Sequence, residues 1–114
     1  MTQYYYIVKL CRYMKLMNEA GMSYIETFQL LKNILGIPLY QEMLENIITW
    51  LKEGKDIYSS LKQERNIIPA DVAIMIKVGE QTANLEKSLW NVLTMYQWEL
   101  EIMINRLSKI IEPI

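Results

Sequence analysis

From Leu85 the chain runs without a glycine or proline until Pro113, and its apolar residues recur every three or four positions: Leu89, Val92, Tyr96, Leu100, Met103, Leu107 and Ile110. That is a helical period, and at a rise of 1.5 Å per residue it predicts a helix roughly 40 Å long. A helix of that length with one apolar stripe needs neighbours, so the upstream chain is expected to pack against it. Just before it, the apolar run Val72-Ala73-Ile74-Met75-Ile76 and Val78 leads into Gly79. With no Cβ, Gly79 reads as the left-handed residue that closes the preceding helix. Asn84 reads as the N-cap of the long one, and Leu85 as its first apolar anchor.

Five further helical runs precede this one. Tyr4 to Ala20 places Ile7, Leu10, Cys11, Met14 and Met17 at helical spacing and ends at Gly21. Ser23 with Glu26 forms a capping box that opens a second helix, with the stripe Tyr24, Phe28, Leu31 and Leu35, stopped by Gly36 and Pro38. The third, Leu39 to Glu53, buries Leu39 or Tyr40, Met43 or Leu44, then Ile47 and Leu51, and Gly54 closes it. A fourth runs from Asp56 to about Glu64. Pro69 suits the first turn of a fifth that ends at Val78, because its missing N–H would be unpaired there in any case. The expected fold is all-α: a compact antiparallel bundle of six helices, one domain over residues 1–114.

Three of the helix starts look alike. Gly21-Met22-Ser23-Tyr24, Gly54-Lys55-Asp56-Ile57 and Thr82-Ala83-Asn84-Leu85 each set a capping Ser, Asp or Asn before an apolar residue. Each is followed by Thr27, Ser60 or Ser88 and then by the next apolar anchor. Capped amphipathic helices in general share such features, so both a true repeat and a generic likeness fit.

Composition excludes several function classes. The 12 basic and 13 acidic residues leave a formal charge of −1, and neither sign forms a block, so the basic footprint that nucleic acid requires is missing. With one cysteine and no histidine, neither a disulfide framework nor the common zinc arrangements can be built, and the composition fits a reducing compartment. Hydrophobic residues reach 52%, yet no window approaches the roughly 20 consecutive apolar residues of a membrane span. The start, Met1 to Tyr6, lacks the pattern of a signal peptide.

Catalysis has little to stand on. A general base would have to be a carboxylate, and Glu42, Glu45, Glu99 and Glu101 are spaced as exposed helix positions. Cys11 lies on an apolar face as a small buried hydrophobe, and no P-loop is present. No cofactor or metal is expected. Glu80 stands out among the acids: placed after Gly79 and before Asn84, its carboxylate is expected to accept N–H groups of the next helix, with partner or shared metal binding as the rival reading. On the last helix Met95, Trp98 and Ile102 form a second apolar stripe about 100° from the first. Two readings fit it, a wide buried face and an exposed interface for a second copy or another subunit.

The order Gly79-Glu80-x-Thr82-x-x-Leu85-x-x-x-Leu89, followed later by Glu112-Pro113, resembles the Gly-Glu-x-Ser/Thr-Gly-x-Leu signature of the F-type inner-membrane platform proteins of type II secretion and type IV pilus assembly. Leu10-Cys11-Arg12-Tyr13-Met14, Leu16-Met17 and Ala20-Gly21 resemble the family's opening helix. One departure is plain. Ala83 stands where the family usually has glycine, and it is expected to take an ordinary backbone conformation there. The resemblance implies a non-enzymatic cytoplasmic domain excised from a longer polytopic membrane protein, which docks an assembly ATPase and couples it to an inner-membrane complex, with homodimers or higher oligomers open. The alternative class is a helical adaptor that takes a partner helix in a groove.

Overall fold

The computed structural model describes residues 2–111, which form six helices and no strands. They are α1 (Thr2–Glu19), α2 (Tyr24–Leu35), α3 (Pro38–Lys52), α4 (Ile57–Lys62), α5 (Ala70–Gln81) and α6 (Leu85–Ile111). The 27-residue α6 is the axis: α1 lies along one side of it and α5 along another, while α2 pairs with α3 and α4 packs on α5. α1 runs antiparallel to α6. Tyr5 and Ile104 line one end of the α1/α6 groove, while Glu19 and Trp90 line the other.

Gly21, Gly36 and Gly54 act as breakers where the sequence places them, and three of the turns share one hydrogen-bond pattern. At Gly21 (φ 78°), Met22 N–H donates to Met17 O and Gly21 N–H to Asn18 O, both at 3.0 Å. At Gly54 (φ 88°), Lys55 donates to Trp50 O and Gly54 to Leu51 O, both at 3.1 Å. This is the Schellman closure, in which a left-handed residue lets two successive N–H groups reach back for carbonyls the helix leaves unpaired. The next helix is then capped at once. Glu26 N–H donates to Ser23 Oγ at 3.2 Å, one half of the capping box, and Ser59 N–H to Asp56 Oδ2 at 3.2 Å. Thr27 and Ser60, both buried, donate their hydroxyls to the carbonyls of these caps at 2.8 and 2.9 Å. The likeness among the helix starts is thus a shared way of reversing the chain with every buried polar group satisfied.

One core holds the helices together. Ile7, Leu10, Cys11, Met14 and Met17 of α1 meet Phe28, Leu31 and Leu35 of α2, Met43, Leu44 and Ile47 of α3, and Leu89, Val92 and Tyr96 of α6. On α3, Tyr40 is buried and Leu39 exposed; Met43, Leu44 and Ile48 are all buried, whereas Leu51 is half-buried. The stripe on α6 departs from expectation. It is buried only as far as Tyr96; Leu100 and Met103 are half-buried, and Leu107 and Ile110 are exposed. The periodicity continues, but the bundle beside it ends. Every residue from Ile104 to Ile111 is exposed, and this projecting segment contributes to the longest dimension of 57 Å, against 31 and 24 Å across.

The tyrosines at the start of α1 fasten that end. Tyr4 lies 5.2 Å from Tyr96 between ring centres, and Tyr6 stacks on Tyr40 of α3 at 4.5 Å. Tyr96 in turn donates its hydroxyl to the Asp71 carboxylate, 3.0 and 3.2 Å from its two oxygens, which ties α6 to the first turn of α5.

Candidate functional site

The α5/α6 turn carries the residues that the sequence marks most strongly, and its geometry revises their roles. Gly79 does not end α5. The helix continues through Glu80 to Gln81, and the left-handed residue is Ala83, with φ 55°. The same closure recurs, with Asn84 N–H donating to Gly79 O at 2.8 Å and Ala83 N–H to Glu80 O at 3.2 Å. The expected ordinary conformation of Ala83 is therefore corrected. The two hydrogen bonds and the immediate start of α6 require left-handed geometry, which a Cβ disfavours by about 1–2 kcal/mol. Thr82 supports the turn by donating its hydroxyl to Val78 O at 2.8 Å.

Gly79 has a different reason to be glycine. A Cβ there would lie 2.7 Å from Ser88 Oγ, 2.8 Å from Ser88 Cβ and 3.0 Å from Leu85 Cα. In this turn Asn84 is both the residue after the left-handed position and the N-cap, accepting Lys87 N–H on Oδ1 at 3.4 Å. At Gly21 and Gly54 one further residue separates those two roles. The tighter reversal brings α5 and α6 into backbone contact, and Gly79 is the residue that permits it.

Glu80 does not cap α6; that role falls to Asn84, and among the described residues no backbone N–H is found donating to the Glu80 carboxylate. Instead Glu80 lines a cleft of about 500 Å³ with Asn18, Tyr24, Ala83, Asn84 and Glu86, where the α1/α2 and α5/α6 turns come side by side. Although the residue is exposed overall, partial burial raises its carboxyl pKa above the ordinary range, and the negative charge of Asp56 adds to the rise. Burial also pushes the Tyr24 hydroxyl up to about 12, with the Glu80 charge as the second cause. Asp56 shifts the other way, lowered chiefly by the Ser59 hydroxyl that donates to it at 2.6 Å. Among the described residues no group of three or more Cys, Asp or Glu side chains is arranged to hold a metal ion.

The remaining marked residues separate. Gly21 and Leu85 border or line the same end of the bundle, close to the cleft, whereas Gly54 closes α3. Of the second stripe on α6, Met95 packs on the core, Ile102 is half-buried, and Trp98 stands out with 63% of its surface exposed. Glu112 and Pro113 lie outside the described residues. Sequence reasoning did not anticipate Tyr24 and Asn18 as partners of the signature turn, since nothing local links residues that far apart. Nor did it anticipate the α1/α6 groove, where Lys15 stands 5.8 Å above the exposed Trp90 ring.

Six helices, two glycine-closed turns and a tighter turn built on Gly79-Glu80-x-Thr82 define an all-helical domain with one distinctive reversal. Residues 10–114 match the family described as Type II secretion system (T2SS), protein F, and the chain belongs to that family. It is similar to the Type IV pilus assembly protein PilC of Thermus thermophilus, 24% identical over 108 residues that make up 95% of this chain and 27% of that protein. It is also similar to PilC of Myxococcus xanthus, 25% identical over 108 residues, 95% of this chain and 26% of that protein. The Protein transport protein HofC homolog of Haemophilus influenzae is 25% identical over 101 residues, 86% of this chain and 24% of that protein. The chain thus spans about a quarter of the length of these curated relatives. No helix among the described residues is long and apolar enough to cross a membrane.

Proposed function

We propose that this chain is the cytoplasmic domain of an inner-membrane platform protein, and that it docks an assembly ATPase and couples it to a type IV pilus or type II secretion complex. The family match over residues 10–114 carries the reading, supported by relatives named for pilus assembly and protein transport. The domain acts as a rigid coupling with no chemistry of its own. Its central helix is held by α1 and α5, with α1 alongside as far as Ile104, and then projects, so a push on the bundle is delivered along α6 without bending a packed core. In the longer protein α6 would lead towards the membrane-embedded part. A second copy is a natural neighbour for the exposed Trp98 with Met95 and Ile102.

Affinity capture tests the reading. A tagged copy of the chain, produced in the parent organism, should retain the assembly ATPase through washing. Recovery of pilus or secretion components without the ATPase would reject the coupling role.

A further inference from the structure

The α4/α5 face carries a small enclosed pocket. Tyr58 of α4, Ile68 of the connection and Ala70, Ala73 and Ile74 of α5 line about 120 Å³, and Lys62 and Arg65, both exposed, complete the lining. Ala70 and Ala73 contribute only methyl groups, so space that longer side chains would fill stays open between the two helices. Ile68 and Ala73 are buried beneath it, whereas Ile74 and, one turn on, Val78 are about half exposed. Two ammonium groups share the Tyr58 ring, Lys77 at 4.7 Å and Lys62 at 5.6 Å from its centre. That puts two like charges within about a Debye length of each other, about 10 Å at 0.1 M salt. Among the described residues no ion pair engages Lys62, Arg65 or Lys77. Asp56 is not their partner: its carboxylate takes the Ser59 hydroxyl and N–H, and Ser59 is the main cause of its lowered pKa while Lys77 is the least.

We propose that this pocket docks an acidic segment of a partner protein, with one bulky apolar side chain entering between α4 and α5 and flanking carboxylates meeting Lys62, Arg65 and Lys77. Three observations select this occupant. Small-molecule sites run to about 300–1,000 Å³, so a space of 120 Å³ holds a single side chain and not a cofactor. The cations stand around an apolar opening, so one short segment satisfies both: the anchor is desolvated in the pocket, and the carboxylates at its rim relieve the repulsion among the like charges. A second copy is poorly equipped to supply that segment. Its own acid-flanked apolar residues are engaged, Met43 and Leu44 between Glu42 and Glu45 being buried and Leu100 between Glu99 and Glu101 half-buried in the α1/α6 groove. One anchor and three rim charges make a weak, salt-sensitive contact that forms and releases readily. The inference rests on the pocket and its charges and does not depend on the ATPase reading.

Titration of the methyl-labelled 114-residue chain with the end-capped peptide Glu-Asp-Glu-Phe-Glu-Asp-Glu, followed by NMR, tests it. Saturable shifts are expected at the methyl groups of Ala70, Ala73 and Ile74. Replacing the phenylalanine of the peptide by serine should weaken binding roughly tenfold or more, and a peptide with lysine at every acidic position should cause no shift. Lys62→Glu and Arg65→Glu should each weaken binding roughly fivefold. Ala70→Leu, which closes the mouth of the pocket, should abolish it. All three positions are exposed, so thermal melting should stay unchanged. The peptide comparison needs no substitution and stands even where a variant folds poorly. No shift at those methyl groups at about 1 mM peptide, equal binding of the serine peptide, or binding that survives both charge reversals would overturn the proposal. So would self-association of the chain that Ala70→Leu abolishes, since a second copy would then be the occupant. Any of these results with ATPase capture retained would overturn this inference alone and leave the platform reading standing.

Discussion

Gly79 and Ser88 meet where α5 crosses onto the first turn of α6, so closely that a methyl group on Gly79 would lie 2.7 Å from Ser88 Oγ. Alanine is the better helix former by about 1 kcal/mol and would ordinarily stabilise a helical glycine position. Here the backbone at Leu85 Cα is also only 3.0 Å away, so rotation of Ser88 cannot absorb the clash. Gly79→Ala is therefore expected to lower stability by about 1–2 kcal/mol net of the propensity gain. A second change, Ser88→Gly, should recover only part of it. Urea unfolding followed by circular dichroism measures both.

Four residues on, the expectation reverses. Ala83 holds φ 55°, a conformation in which its methyl group is a liability, whereas glycine adopts it freely. After allowing for the larger entropy of glycine in the unfolded chain, Ala83→Gly should stabilise by about 0.5–1 kcal/mol. A higher urea midpoint at constant slope is the expected result. A lower one would show that the turn relaxes when the methyl group is removed.

How much of this was legible in the sequence depends on what encodes it. Helix ends were readable at Gly21, Ser23, Gly36, Gly54 and Asp56, because each acts on its own backbone within four residues. Gly79 was misread because a glycine near a helix end signals a left-handed closure, while its actual constraint sits nine residues on at Ser88, across the turn. The rule that only glycine takes the left-handed position then misassigned Ala83 as well. The stripe on α6 was read correctly as a period, yet a period cannot say where the neighbour stops. Leu107 and Ile110 lie beyond the point where α1 accompanies α6, and so they stay exposed. Glu80 and Tyr24 come together only through packing of two separate turns.

The end of the core can be located by mutation. Leu89 is fully buried, and Leu89→Ala should cost about 2–5 kcal/mol as a cavity. Leu100 lines the α1/α6 groove half-exposed, so Leu100→Ala should cost about 1–2 kcal/mol, and Leu107→Ala less than about 0.5 kcal/mol. Three similar losses would mean that the stripe is covered throughout.

Alkaline pH should unfold the protein early. Burial pushes the Cys11 thiol from 9.0 up to about 12 and the Tyr24 hydroxyl from 10.0 up to about 12. Tyr96 is raised as well, by burial first and then by its bond to Asp71. In the unfolded chain these groups lose their protons at the lower, ordinary values. The stability they contribute is thus fully present below pH 9 and is lost as pH rises towards 12, with a limiting slope of about 1.4 kcal/mol per pH unit for each group. Cys11→Ala should delay the onset towards pH 10, as measured by urea midpoints across the range.

Trp98→Glu separates surface from core. With 63% of Trp98 exposed, the carboxylate it introduces stays in water, and melting should shift little. Self-association, where sedimentation detects it in the parent chain, should weaken strongly. Lowered melting with unchanged association would reject an interface at Met95, Trp98 and Ile102.

The coupling role itself is tested most directly by calorimetric titration of the purified 114-residue chain with the purified assembly ATPase of the same organism. Saturable binding at a fixed ratio to the ATPase, by a chain whose circular dichroism shows it helical and folded, is the predicted result. The absence of heat and of any complex on a sizing column, with that same folded chain in excess, would contradict it.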